Sequence, residues 1–289
     1  MPALTLSKYH GLGNDFLVLV DPDGTVGLER GDVAALCERH RGVGADGVLR
    51  LSAPAGGGDL RMELRNADGG AAETSGNGLR CAVLAAAHAG LLPAGAFDGS
   101  TVTVETGAGP VAARLLGAGR PGALASVAVA MGAATVDPDP PSLPPSLVDG
   151  VAARRVDVGN PHLVLLVDDL AAVDLGLVGP ALEASVPGGC NVEVVRPLPG
   201  DGGLQMKVWE RGVGLTEACG SGSCAAAATA RLLGRAGERV VVANPGGELL
   251  VELAGSPSRP SVTLTGPACR IGTVSVDLDD LRLGGRLPA

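Results

Sequence analysis

The sequence predicts an α/β fold built twice in one chain, and three observations carry that reading. Glu73-Thr74-Ser75-Gly76-Asn77-Gly78 recurs 144 residues on as Glu217-Ala218-Cys219-Gly220-Ser221-Gly222, and both copies run into Ala-rich stretches at 81–89 and 224–230. Further pairs keep the order: Met62-Glu63-Leu64 with Met206-Lys207-Val208 and Gly47-Val48 with Asn191-Val192 at that offset, and Gly13-Asn14 with Gly159-Asn160 at an offset of 146. Self-similarity at one spacing is the signature of a duplicated unit. Thirdly, short apolar runs bounded by glycine and polar turns precede the helical stretch in each copy, which is the pattern of strands leading into a helix.

Each half reads alike. Strands at 16–20, 47–51 and 60–64 match strands at 163–167, 192–195 and 204–208, and a Gly-rich turn then opens the Ala-rich helix. Further strands follow at 101–105, 127–129, 240–242, 249–253 and 261–264, all rich in Val, Leu or Thr. Segment 137–150, DPDPPSLPPSLVDG, carries five prolines, which favour extended chain and oppose a core helix or central strand. It reads as a surface loop within or beside the second half.

Composition narrows the function. Of 289 residues 46% are hydrophobic but only Tyr9, Phe16, Phe97 and Trp209 are aromatic, so the cores are built from Ala, Val and Leu, with Trp209, Met62 and Met206 inside them. A net charge of -9 without a Lys/Arg cluster argues against nucleic acid or an anionic membrane as partner and leaves a small substrate or a protein partner. No apolar run reaches the roughly 20 residues of a spanning helix, and residues 1–8 lack the pattern of a signal peptide, so the expected location is the cytoplasm. The six cysteines show no CxxC pair and no zinc spacing. They are expected to be reduced, five of them as small buried hydrophobes, with no metal bound.

Cys219 is the exception. A strand, a Gly-x-Gly turn and a helix start place free backbone N–H groups and the positive end of the helix dipole at one point, which suits an anion. Two such turns in matched halves suit a ligand carboxylate held in a cleft between them. Phosphate fits less well, because no P-loop Lys-Ser/Thr follows either turn. Cys219 stands directly before the second turn's first glycine, where the helix end is expected to lower the thiol pKa, and Ser75 stands at the matching place. Side chains flanking a held carboxylate are what proton removal from one face of an α-carbon and return to the other requires. The alternative is tight helix packing without ligand.

The motifs His10-Gly11-Leu12-Gly13-Asn14-Asp15-Phe16, Asn66-Ala67-Asp68-Gly69, Ser75-Gly76-Asn77-Gly78-Leu79-Arg80-Cys81, Gly159-Asn160-Pro161-His162, Glu210-Arg211-Gly212-Val213-Gly214 and Ala218-Cys219-Gly220-Ser221-Gly222-Ser223-Cys224 resemble the diaminopimelate epimerase family in order and spacing. Arg41 to Asp46, Asn191-Val192-Glu193, Pro245-Gly246-Gly247 and Gly266-Pro267-Ala268 extend the resemblance over nearly the whole chain. It implies two pseudo-symmetric domains, each a barrel-like sheet around a central helix, spanning 1–120 with 272–289 and 121–271, the active site in the cleft between them. It implies interconversion of LL- and meso-diaminopimelate without a cofactor, a step of lysine and peptidoglycan synthesis, and leaves the oligomer open between monomer and homodimer.

Carried over by position, Asn14, Asn66, Asn160, Asn191, Glu210 and Arg211 correspond to the substrate-binding set, and Gly76, Asn77, Gly220 and Ser221 to the groups holding the reacting carboxylate. His162 and Glu210 correspond to partners that tune the catalytic pair, of which Cys219 is one member and Ser75 stands at the other's position. Each has a plainer reading: the asparagines as turn residues, His162 as a satisfied core histidine, Glu210-Arg211 as a solvated pair. The family carries cysteine where this chain has Ser75, whose hydroxyl stays neutral at pH 7, and commonly reads Gly-Glu-Thr where this chain has Gly214-Leu215-Thr216. Ser75 is open to three accounts: a site-directed change, a natural Ser/Cys subgroup, or a changed reaction with one base, such as elimination. A racemase or dehydratase for another amino acid and a binding protein without turnover are the other functions in play.

Overall fold

The computed structural model describes residues 3–72, 75–93, 96–97, 99–117, 125–141, 151–200 and 203–283. Two compact units emerge, Met1–Val129 with Pro267–Ala289, and Ala130–Gly266. These bounds fall within the strands Ala125–Ala133 and Arg259–Val276; the expected 120/121 lies outside the described residues, and the second of those strands runs through 271/272. Of the proline-rich segment 137–150, residues 142–150 lie outside the described residues, as do Glu73 and Thr74 of the first Gly-rich turn.

Unit 1 contains β1 (Leu4–Gly11), β2 (Asn14–Val20), α1 (Arg30–Cys37), β3 (Gly47–Ser52), β4 (Leu60–Asn66), β5 (Ala71–Ala72), α2 (Gly76–His88), β6 (Thr101–Thr106), β7 (Gly109–Leu116), most of β8 (Ala125–Ala133), the end of β17 (Arg259–Val276) and α5 (Leu278–Leu283). Pairing runs β17-β1-β2-β3-β4-β6-β7-β8 and back to β17, a closed ring of eight strands among the described residues. The β1–β2 hairpin turns on Leu12 (φ 55°) and Gly13 (φ 88°), the two positive φ values a tight two-residue turn demands. Leu12 takes up that strain while its side chain is buried.

Unit 2 repeats the plan with β9 (Thr135–Val136), β10 (Ala152–Asp157), β11 (Pro161–Leu166), α3 (Leu175–Ala184), β12 (Asn191–Pro197), β13 (Leu204–Glu210), β14 (Gly214–Thr216), α4 (Gly220–Leu232), β15 (Arg239–Asn244), β16 (Gly247–Ser256) and the first part of β17. The order is β9-β10-β11-β12-β13-β15-β16-β17. The Ala134 and Val136 amides donate to the Pro260 and Ser258 carbonyls, both at 2.9 Å, and return β9 to β17.

Inside each ring lies one helix. Residues 77–87 of α2 are all buried, as are Gly220 and 222–230 of α4. A helix enclosed on every side must be apolar all round, and a ring this narrow admits mostly alanine, which accounts for both Ala-rich stretches. Outside each ring a second helix covers the parallel pair. Val33 and Leu36 of α1 pack with Leu17, Leu19 and Val48, and Leu175 and Leu182 of α3 pack with Leu163, Leu165, Val192 and Val194. Strands β2, β3, β11 and β12 are thus buried on both faces, which is why their sequences read as unbroken apolar runs. Met62 and Met206 are buried as expected, whereas Trp209 is half-buried, packed on the α3 cluster with Nε1 donating to Glu183 Oε2 at 2.7 Å. All six cysteines are free, and Cys269 is half-buried rather than buried, since β17 carries it on a partly open face.

Candidate active site

In unit 2 the site grows from the start of α4. Cys219 is the N-cap residue, in extended conformation (φ -125°, ψ 118°), and its Sγ accepts from the Gly222 amide at 3.3 Å and lies 3.5 Å from Ser221 Oγ. Gly222 leaves little room for a larger residue: a Cβ there would sit 2.6 Å from Glu193 Oε1 and 3.2 Å from Cys219 Cβ. Side chains alternate along β11 and β12, so Leu163, Val192 and Val194 face α3 while His162 and Glu193 face α4. His162 Nδ1 lies 2.7 Å from Glu193 Oε1, both side chains fully buried, and His162 Nε2 lies 3.0 Å from Asn160 Oδ1. Glu210 ends β13, and Thr216 Oγ1 donates to its Oε1 at 2.5 Å.

The electrostatics of this cluster reverse one expectation. Burial pushes the Cys219 thiol well above its ordinary value, and Glu210 and Glu193 push it further, against hydrogen bonds from Ser221 and Gly222. The helix end does not deliver a resting thiolate, because the thiol is enclosed and two carboxyl groups share its surroundings. Burial also raises the Glu210 carboxyl, opposed by the Thr216 hydrogen bond, with Glu193 adding to the rise and both His162 and the Cys219 thiol opposing it. Thiol and carboxyl therefore compete for one negative charge.

In unit 1 the same position holds Ser75, the N-cap of α2 (φ -148°, ψ 128°), whose Oγ accepts from the Gly78 amide at 3.1 Å. Asn14 donates to Asp46 Oδ2 at 2.7 Å and accepts from Asn77 Nδ2 at 3.2 Å. Asn77 Oδ1 accepts from the fully buried Arg80 at 2.7 Å, and Arg80 also donates to the Gly76 and Pro267 carbonyls. Gly76, Asn77, Gly220 and Ser221 are the first two residues of each helix, where N–H groups have no partner within the helix.

The profile of the diaminopimelate epimerase family matches residues 6–136 and 154–271. The chain belongs to the diaminopimelate epimerase family. Its relatives include a diaminopimelate epimerase of Thermobifida fusca, 40% identical over 96% of this chain and 100% of that protein. Another, from Synechocystis sp., is 38% identical over 93% of this chain and 97% of its own length. Among solved structures, a Bacillus anthracis protein of the PhzF phenazine-biosynthesis family (TM-score 0.74, 15% identity, 96% of this chain and 100% of that one) shares the fold. So does a hydroxyproline epimerase from Agrobacterium vitis (TM-score 0.71, 21% identity, 100% and 95%).

The remaining residues implied by the family resemblance fall at strand ends. Asn191, buried at the start of β12, accepts from the Arg211 amide at 2.8 Å, and the exposed Arg211 side chain donates to the Gly188 carbonyl at 3.2 Å. Asn66 closes β4 with an exposed side chain outside these networks; it opens the turn to Gly69, as Glu210 opens the turn to Val213. Glu193 and Arg80 are two further buried charged groups that belong to these networks. Their signal was the repeat itself: Glu193 stands where the first copy has Leu49, and Arg80 where the second has Cys224.

Proposed function

We propose that this chain is an epimerase acting on diaminopimelate, interconverting the LL and meso forms by removing the α-proton and returning one to the opposite face. The observation that carries the reading is Cys219 capping α4, its Sγ accepting from the Gly222 amide at 3.3 Å, with the charge of the Glu210 carboxyl acting on the buried thiol, in a family whose relatives at 35–40% identity bear that activity's name. Glu210 takes the Sγ proton as the thiolate takes the α-proton, so the buried site never holds two new charges at once. Ser75 hydrogen-bonds at the other face and passes a proton there, taking one from water as it gives its own so that the hydroxyl stays neutral. The first amides of α2 and α4, at Gly76, Asn77, Gly220 and Ser221, hold the reacting carboxylate. Asn14, Asn66, Asn160, Asn191, Glu210 and Arg211 receive the distal amino-acid end.

On this reading the reaction runs in the cytoplasm on a small amino acid and needs no cofactor, nucleic acid or membrane. Among the described residues no helix is long and apolar enough to cross a bilayer. The test is incubation with LL- and meso-diaminopimelate in heavy water, following deuterium at the α-carbon and stereochemistry together. Exchange with inversion supports it, and absence of both from either isomer overturns it. Activity should survive dialysis against chelator; loss that added metal restores would overturn the cofactor-free mechanism.

A further inference from the structure

Glu193 takes no part in the proton transfers above, yet it lies at the centre of the cluster. Its side chain is fully buried, Oε1 meets His162 Nδ1 at 2.7 Å, and Oε2 is buried without a hydrogen-bond partner. A carboxylate removed from water costs several kcal/mol unless a charge opposes it, and the imidazole is placed to do so. The second ring nitrogen, Nε2, faces Asn160 Oδ1 at 3.0 Å. Both ring nitrogens therefore point at oxygen acceptors. With Oδ1 engaged, the free end of the Asn160 amide is Nδ2, a two-proton donor. A ring without its Nε2 proton would turn that amide over and present Oδ1 instead.

The scaffold does not need this ion pair. At the corresponding positions unit 1 carries Phe16 and Leu49, and the space beside Gly78 is bounded by Leu49 as that beside Gly222 is by Glu193. An apolar pair closes the same ring, so the charged pair in unit 2 is kept for something other than folding. Glu210 and Cys219 are the other titratable groups whose charge acts on this cluster, and both are acids; the imidazole is the base that lies against Glu193.

We infer that Glu193 is a positioning residue that keeps both protons on His162, holds Asn160 with its amide donors outward, and so selects a substrate carboxylate over an ammonium at that point. This rests on reading Asn160 as a substrate-binding residue. The test is Glu193→Gln in the full chain, with the imidazole nitrogens followed by NMR after 15N-histidine labelling and the His162 signals assigned by their loss in His162→Gln. The expected result is a His162 ring protonated at both nitrogens in the parent and at one in Glu193→Gln. KM should rise roughly 10- to 100-fold, the worth of one hydrogen bond to a charged group, with a smaller change in kcat. In an Asn160→Ala background the same substitution should leave KM unchanged. A ring that keeps both protons in Glu193→Gln, or a KM effect undiminished in Asn160→Ala, overturns the inference. If Glu193→Gln does not fold, the pair His162→Phe with Glu193→Leu imports the first unit's apolar solution and should match Asn160→Ala in KM; a KM equal to the parent's overturns the inference. Failure of the parent to turn over diaminopimelate would count against the proposed function alone, since the imidazole spectrum decides the Glu193 link without substrate.

Discussion

At the start of α2, Ser75 Oγ accepts from Gly78 N at 3.1 Å; at the start of α4, Cys219 Sγ accepts from Gly222 N at 3.3 Å, on nearly the same backbone conformation. Beneath the serine the strands present Phe16 and Leu49, and beneath the cysteine His162 and Glu193. Backbone geometry was duplicated while the ionisable groups were not. Unit 1 spends its carboxylates on cations: Asp15 with Lys8 and Arg39, Asp21 with Arg50, Asp32 with Arg282. Unit 2 gathers Glu210, Glu193 and a thiol around one histidine. A helix end therefore supplies direction and hydrogen-bond donors in both units, but a side chain becomes a base only where a proton acceptor lies beside it.

The most severe break of this asymmetry is Cys219→Ala, which should cut deuterium exchange and inversion by about 10²- to 10⁴-fold, the worth of a positioned acid or base. Cys37, Cys190 and Cys269 substitutions should be nearly neutral, so full inactivation by alkylation of one of these would contradict the assignment. Next comes Ser75→Cys, expected to raise inversion by at least about tenfold, or ~1.4 kcal/mol of barrier, and to even out the two directions. In the parent, one isomer should exchange with its configuration kept while inversion lags. If the replacement leaves inversion unchanged or lowers it, Ser75 is an adapted catalytic residue and unit 1 is not the weaker half.

A smaller difference is expected in packing. Gly222→Ala drives a methyl against a buried carboxylate, and should destabilise by ~1–3 kcal/mol as overpacked sites do. Gly78→Ala meets Ser75 Cβ at 3.3 Å and Leu49 Cδ2 at 3.4 Å, and should cost less than half as much by thermal unfolding. Equal costs would mean that Glu193 can move aside freely.

Least in size is a difference in acid response. The Arg282 hydrogen bond holds the Asp32 carboxyl below its ordinary value near 3.8, so its contribution is fully present above that pH and fades as pH falls through the lower folded value. Glu210, raised by burial from 4.5, has the opposite sign: its contribution is full below 4.5 and is lost as pH rises through the higher folded value. Between pH 5 and 3, amide exchange corrected for intrinsic rate should therefore show protection falling in α2 and β2 relative to α4 and β12. Protection falling in parallel would remove the electrostatic contrast between the units.

Much of this arrangement was legible in the residues. The recurrence at 144 located both N-caps and both central helices, because a helix enclosed by strands needs a Gly-rich entrance and small side chains, and both leave a mark in composition. The outer helices α1 and α3 went unread: each is short, and α3 carries Pro180 inside it, so neither shows a sustained helical period. Strands β5 and β14, of two and three residues, are too short for any pattern. The expected thiolate failed for another reason. Helix position is written locally in the sequence, but the enclosure that raises the Cys219 pKa comes from β11, β12 and β13, whose joint effect appears only when they are paired.

One strand has a consequence for how the molecule is made. β17 runs without interruption through Arg259–Val276, and its end pairs with β1, Leu4 lying opposite Val276. Unit 2 is a continuous stretch, Ala130–Gly266, and holds all the strands of its own ring once residue 266 has been added. Unit 1 must wait for residues 267–276, and until they leave the ribosome its first strand stands as an unpaired edge, the kind of surface on which nascent chains mispair. The part of the chain that is translated first is finished last.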